Sequence, residues 1–225
     1  DSSECKKIIY SSSATVYGEP INVPLDEKHP CEPVNPYGKT KLFVEEMLKD
    51  WATTKKQNSA IILRYFNPVG AHSSGLLGED PAGAPNNLMP IIADVALGKL
   101  PYIDIYGNDY STRDGTGERD YIHVVDLALA HVDAIKKVSQ VEFEVFNIGT
   151  GSGTTVLELI EEFEKVSGKK ISTNFVNRRL GDVAISIASV KKAKEELSWS
   201  AIKDIKDMSL DAWRWKIQNS SEHDE

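Results

Sequence analysis

Cysteine is scarce in this chain. Only Cys5 and Cys31 occur in 225 residues, too few for a disulfide framework or a cysteine-built metal site. Two free thiols in a reducing, cytoplasmic compartment are expected. Five histidines (His29, His72, His123, His131 and His223) follow no metal-ligand spacing, so no metal is expected. Long apolar runs are missing as well. No stretch approaches the roughly 18 residues that a membrane span needs, and the opening Asp1-Ser2-Ser3-Glu4 is polar and acidic, unlike a secretory leader. Positive charge is in deficit: 26 Lys and Arg against 34 Asp and Glu leave a net charge of −8. That excludes the broad basic face that nucleic acid or an anionic membrane requires. A small anion remains possible, because a few well-placed arginines can hold one.

What is present is ordinary for a globular chain, 40% hydrophobic and 27% charged. Lys6 to Ser11 reads as a short buried strand. A proline-punctuated loop follows from Pro20 to Pro36, then a helix from about Gly38 to Thr54 with Val44, Met47, Leu48 and Trp51 on one apolar face. Ser59 to Arg64 is a second apolar strand. This strand–loop–helix–strand order predicts a parallel-sheet unit and an α/β fold. Further on, His72 to Asn87 reads as a long loop and Leu88 to Leu97 as a helix. Asp104 to Gly107 reads as extended, Val124 to Lys137 as helix and Glu142 to Asn147 as strand. Thr155 and Glu158 form a capping box for a helix striped with Val156, Leu159, Ile160 and Phe163. Ile171, Thr173 and Phe175 alternate as a strand, and helices are expected at 189–197 and 205–217.

One glycine cluster, Gly149-Thr150-Gly151-Ser152-Gly153, sits between a strand and a helix. A dinucleotide fingerprint needs two residues between its second and third glycines and an acid about 20 residues on. Neither is found, so the cluster reads as a tight turn. No other glycine-rich turn follows the first strand, where such a site normally lies.

Tyr37 and Lys41 stand four residues apart at the start of a helix and so share a face. A tyrosine has a reference pKa of about 10 and is a poor base at neutral pH. A nearby cation favours the phenolate. The serine run Ser11-Ser12-Ser13 ends the first strand, where active-site groups of open α/β sheets collect. Tyr-x-x-x-Lys after a strand ending in serines points to proton transfer at a hydroxyl.

Neighbouring segments make the pattern specific. Ser11-Ser-Ser-Ala-Thr-Val-Tyr-Gly18, Pro36-Tyr-Gly-Lys-Thr-Lys41, Leu63-Arg-Tyr-Phe-Asn-Pro-Val-Gly-Ala-His72, Gly78-Glu-Asp-Pro81, Asn86-Asn-Leu-Met-Pro90 and Asp114 to Asp126 together resemble the UDP-glucose 4-epimerases, extended short-chain dehydrogenase/reductases. The resemblance runs from the first residues to about Gln218. It implies the C-terminal part of a Rossmann-like doubly wound parallel sheet plus a smaller α/β subdomain. Residues 1–67 and 107–147 would be the remaining part of an NAD-binding domain. Residues 68–106 and 148–218 would bind the UDP-sugar, with 219–225 a disordered tail. The family's first hundred or so residues, with the pyrophosphate-binding glycines, have no counterpart here.

The resemblance also implies roles. Tyr37 would exchange the proton of the sugar 4-hydroxyl while NAD takes and returns the C4 hydride through a 4-keto sugar. Lys41 would hold the nicotinamide ribose, Ser13 would hydrogen-bond the reacting hydroxyl, and Phe66 would lie beside the nicotinamide. Thr15, Asn67, Asn87 and Leu88 would contact the sugar and diphosphate, and Asp104, Ile105 and Tyr106 the uracil. Arg119 and Arg179 would hold the diphosphate and Asp182 the ribose. Ser186 falls where relatives carry either a bulky tyrosine or a small residue, and a small one would admit UDP-GlcNAc and UDP-GalNAc. Leu180 departs from the family's usual polar residue. The implied partner set is a UDP-sugar and, in the intact family, a second copy of the chain; no nucleic acid or membrane is expected. Two other readings stand beside this isomerase of galactose metabolism. One is a non-catalytic sugar-nucleotide-binding remnant. The other, a sugar-nucleotide 4,6-dehydratase, is disfavoured because Ser13-Ala14-Thr15 offers no carboxylate.

Overall fold

The computed structural model describes residues 4–81, 83 and 85–220. Strand β1 (Lys7–Ser13) pairs in parallel with β2 (Ser59–Tyr65), with Ser13 opposite Tyr65. Parallel strands need a crossover, and α1 (Pro36–Thr54) lies in it. The helix starts two residues earlier than periodicity suggests. Asn35 Oδ1 accepts from Gly38 N at 2.8 Å, and Pro36 occupies the first turn, where its missing N–H is not needed. The expected apolar face is corrected. Met47 and Phe43 are exposed, Val44, Leu48 and Trp51 half-buried, and the fully buried seam is Gly38, Glu45 and Ala52. Small residues at that seam let the helix lie close to the sheet.

β2 is buried at six consecutive positions because it is the central strand of its sheet. After it come β3 (Asn67–Val69), α2 (Leu88–Ala96) and β4 (Ile103–Tyr106). Next is β5 (Glu118–His123), which sequence patterning missed because Arg119 and Asp120 interrupt its apolar run. The chain continues through α3 (Val124–Lys137), β6 (Phe143–Ile148), β7 (Gly153–Thr155) and α4 (Val156–Ser167). It closes with β8 (Thr173–Val176), β9 (Ile185–Ser186), α5 (Lys191–Glu196) and α6 (Ile205–Asn219). The architecture is α/β, as expected. Of the tail foreseen at 219–225, Asn219 ends α6, and residues 221–225 lie outside the described residues.

Three sheets result. The first is parallel, in the order β1-β2-β6. The second centres on β5, which runs parallel to β3 and β9 and antiparallel to β7. The third is the parallel pair β4-β8. β5 therefore pairs with β7 and β9, both from 148–218, and with β3, which straddles the expected boundary between 67 and 68, although its own number falls in 107–147. Its side chains serve both cores. Ile122 packs with Ile61, Leu63 and Phe146, while Tyr121 packs with Val69, Leu159 and Phe163. α6 is tied to β5 by a hydrogen bond: His123 Nδ1 accepts from Val125 N, so Nε2 carries the proton and donates to Asp211 at 3.2 Å. Among the described residues no helix is long and apolar enough to cross a membrane.

The capping box at the start of α4 is present as the sequence suggests, Thr155 with Glu158. Arg113 reaches the same carboxylate and also Glu118, at 2.6 Å. The Arg113 hydrogen bond, with the Thr155 N–H, holds the Glu158 carboxyl at about 2, below its ordinary 4.5. A depressed carboxylate contributes stability above its unfolded pKa and loses it as pH falls through the folded value. Glu158→Gln should therefore destabilise the chain at neutral pH by roughly 1 kcal/mol. In thermal melts the gap to the parent should close between pH 4.5 and pH 2; a gap independent of pH would contradict the assignment.

Candidate active site

Tyr37 and Lys41 project from the first two turns of α1, beside β1. The close approach has a visible cause: a Cβ on Gly38 would stand 2.6 Å from the Thr15 carbonyl oxygen. Lys41 Nζ donates to the Ser11 carbonyl at 2.9 Å, on the β1 edge that β2 does not use. The ammonium lies 5.2 Å from the Tyr10 ring centroid and 5.5 Å from that of Tyr37. Tyr37 is 55% exposed, so its phenol is open to a ligand.

Ser13 ends β1 and caps the short turn of helix after it. Its Oγ accepts from Thr15 N at 3.2 Å and from Thr15 Oγ1 at 3.0 Å. A hydroxyl has two lone pairs and one proton. Thr15 occupies both lone pairs, so Ser13 is left as a donor. That is the role a hydrogen bond to a reacting hydroxyl or phenolate oxygen asks of it. Phe66 is 5% exposed and packed with Val16, Tyr17 and Leu25. Its ring is part of a core cluster.

On the other side of the second sheet lies a cleft of about 840 Å³. Nine of the sequence-predicted residues line it: Asn67, Asn87, Leu88, Asp104, Ile105, Tyr106, Arg119, Arg179 and Asp182. Asn67 lies two residues beyond Tyr65, the register partner of Ser13, so the cleft begins just past the strand end that carries the serines. Thr15 and Ser186 are not among its lining residues. Ser186 sits on β9 opposite Arg119, one strand away. The Ile105 side chain is buried in the core, leaving its backbone as the part that can face a ligand.

Arginines meet aromatic rings where β4 and β8 end. Arg179 lies 4.5 Å from the Tyr106 ring centroid and pairs with Asp182 at 3.0 Å. Arg178 lies 4.1 Å from Tyr110 and pairs with Asp109 at 2.7 Å. Arg119 is held differently. Its acidic neighbours are engaged elsewhere, Glu118 with Arg113 and Asp120 with a turn. Arg119 Nη1 donates to two carbonyls, Glu118 O at 3.0 Å and Ala184 O at 3.3 Å. A guanidinium held by carbonyls keeps its charge for an incoming anion. Leu180 is fully exposed between the Arg179–Asp182 pair and contributes nothing to it.

Sequence reasoning missed Glu79, Tyr110, Tyr121 and Arg178 near this cleft. Glu79 takes the Asn87 amide at 2.6 Å, which fixes which way that amide faces. The doubled arginine and the two tyrosines four apart were visible in sequence, but only the β4–β8 pairing makes them neighbours.

The glycine turn has an occupant already. Asp120 Oδ1 accepts from Thr150 N and Oγ1, both at 2.7 Å, and Oδ2 accepts from Gly151 N at 2.9 Å and Ala188 N at 3.1 Å. The turn is an anion nest, filled by the protein's own carboxylate.

Comparison with known proteins agrees with this geometry. Residues 1–211 match the family described as GDP-mannose 4,6 dehydratase, and the chain belongs to that family. Within it, the relatives are UDP-glucose 4-epimerases. The chain is 53% identical over 215 residues to UDP-glucose 4-epimerase of Bacillus subtilis, covering 95% of this chain and 63% of that protein. It is 52% identical over 220 residues to the Homo sapiens enzyme, covering 96% and 63%. A solved UDP-glucose 4-epimerase of Bifidobacterium longum, in complex with NAD+ and UDP, superposes with a TM-score of 0.92 at 50% identity. That match covers 96% of this chain and 64% of that one. The chain thus spans somewhat under two thirds of the length of the relatives it matches.

The contact between Gly38 and Thr15 is testable. Gly38→Ala must push α1 off the end of β1 or strain both, and should destabilise the chain by roughly 1–3 kcal/mol. Chemical denaturation measures this; an unchanged midpoint would show that the approach is looser than 2.6 Å implies.

Proposed function

We propose that this chain carries the proton-transfer and UDP-sugar-binding parts of an NAD-dependent UDP-glucose 4-epimerase, interconverting UDP-glucose and UDP-galactose. The observation that supports it most is that nine residues taken from the resemblance, scattered from Asn67 to Asp182 in sequence, line one cleft. The two free thiols suit a reducing cytoplasm.

The resemblance assigns the roles, and the local geometry is compatible with them. Tyr37 Oη takes the proton of the sugar 4-hydroxyl and gives it back after the 4-keto sugar has turned over. Lys41, anchored on the Ser11 carbonyl, keeps a positive charge beside the Tyr37 ring. Ser13 donates to the reacting oxygen. Arg119 and Arg179 compensate the diphosphate, Tyr106 lies with the base, and Asp182 serves the ribose.

The chain's residues fit the nicotinamide end of NAD: Tyr37 stands exposed and Lys41 half-buried at the strand edge, and Ser13 has a free proton to donate. The glycine turn at 149–153 does not serve the pyrophosphate, because Asp120 fills it. Bound NAD supplies the acceptor and donor for the hydride at sugar C4. A second reading, the dehydratase chemistry named by the family description, asks for a carboxylate near the reacting sugar. Ser13 and Thr15 hydrogen-bond each other there instead.

Calorimetry with UDP tests the cleft. The parent should bind UDP, and Arg179→Met should weaken it roughly tenfold or more, as loss of a charge-assisted hydrogen bond does. No UDP binding by the parent at millimolar concentration would sink the reading. NAD released on denaturation separates an enzyme from a binding remnant: stoichiometric NAD refutes the remnant.

The small residue at Ser186 extends the proposal to N-acetylated sugars. The Ser186→Tyr variant should lower kcat/KM for UDP-GalNAc at least about tenfold relative to UDP-galactose. Equal loss on both substrates would remove Ser186 from specificity.

A further inference from the structure

A buried ionic cluster lies behind the proton-transfer pair and takes no part in the roles given above. Glu45 and Arg64 have side chains only 4% and 7% exposed. Arg64 Nε reaches the two Glu45 oxygens at 3.1 and 3.2 Å, and Nη2 reaches Oε2 at 2.6 Å. Ser12 Oγ, equally buried, donates to Oε1 of the same carboxylate. Burial works against the Arg64 charge, yet the hydrogen bonds to Glu45 outweigh it and favour the charged form.

The placement of these groups is specific. Ser12 and Arg64 are register partners across β1 and β2. Glu45 is four residues after Lys41 and eight after Tyr37, one and two turns further along the same helix. Ser12 directly precedes Ser13. One carboxylate thus fastens the Tyr37–Lys41 helix to β1, which carries the serine run, and to β2, which carries Arg64. Arg64 also lies 4.8 Å from the Tyr17 ring centroid, and Tyr17 donates to Asn147 on β6 at 2.6 Å. The tie therefore runs through all three strands of the first sheet. Tyr10, on the same strand face as Ser12, senses both ends of the helix segment: burial raises its phenol, and Glu45 and Tyr37 add to that.

A buried ion pair contributes little net stability over an apolar pair of equal volume, while a mispaired one is costly. It makes a poor glue and a good register mark, since sliding α1 by one turn would leave both charges alone. The shape of the site needs such a mark. Gly38 and Ala52 give the seam no side chain that would resist sliding, and the outer face of α1 is exposed at Phe43 and Met47.

We propose that Glu45, with Arg64 and Ser12, is the positioning device that sets Tyr37 and Lys41 against Ser13. The catalytic meaning of this rests on the epimerase reading; the positioning itself does not.

The test uses the full chain with 3-fluorotyrosine at position 37. One variant replaces the pair by apolar groups, Glu45→Leu with Arg64→Met. The other, Ser12→Ala, keeps the ion pair and cuts only the link to β1. Melting should show the apolar variant as stable as the parent, or more so. UDP affinity should stay within about twofold, because the cleft lies apart from the cluster. The fluorine resonance of residue 37 should split or move, with an altered pH titration, and shift in the same direction but less in Ser12→Ala. In an active enzyme, kcat for UDP-galactose should fall at least about tenfold with KM little changed, as displacement of a positioned base predicts. A single unmoved resonance with an unchanged titration in both variants overturns the proposal, even if stability changes. If the parent does not turn over UDP-galactose, the epimerase reading fails, and the fluorine signal still decides the positioning.

Discussion

A single carboxylate holds the two halves of this molecule in register. Asp120 lies on β5, is wholly buried, and receives four hydrogen bonds from Thr150, Gly151 and Ala188. Burial pushes its carboxyl up, against those donors. Unpaired, such a group would be expensive; satisfied, it pins the 149–153 turn and the chain after β9 to β5. Gly149 must be glycine for this, since a Cβ there would stand 2.6 Å from Asp120 Oδ2. Everything around the cleft depends on that fastening. Arg119 is the preceding residue, and the segment with Arg179 and Asp182 enters the site just before β9.

From that hub the chemistry divides by sheet. The parallel sheet β1-β2-β6 presents hydroxyls and the phenol–ammonium pair at one strand end. The second and third sheets present charge and aromatic surface around the cleft. The chain is acidic overall, so the cleft's positive charge is local. Arg119 donates to carbonyls, whereas Arg113, Arg178 and Arg179 pair with carboxylates.

Much of this was legible in the sequence because it is local. The α4 capping box, the helices expected at 88–97 and 205–217 (observed at 88–96 and 205–219), the strands expected at 59–64 and 142–147 (observed at 59–65 and 143–148) and the Tyr37–Lys41 spacing need only neighbours a few residues apart. The resemblance to a family added residues that have no local signature, such as Asp104 and Asp182. What stayed hidden was non-local. β5 does not look like a strand, since Glu118, Arg119 and Asp120 are all charged. Their burial makes sense only with Arg113, the cleft and the glycine turn as partners. The stripe expected on α1 failed for a related reason. Hydrophobicity selected Met47, but contact with the sheet selected Gly38, Glu45 and Ala52, by size and by an ionic partner nineteen residues away in Arg64.

By itself, then, the sequence determined the chain's class, its α/β alternation and the spacing that puts Tyr37 and Lys41 on one helix face. These depend on periodicity, capping and short spacings. Only the tertiary structure decided that the glycine turn is occupied by Asp120, that Ser13 is left as a donor, and that the helix is keyed to its sheet by a buried carboxylate. The physical reason is common to all three. A hydrogen-bonding group's function is set by which of its partners remain free, and those partners come from distant parts of the chain.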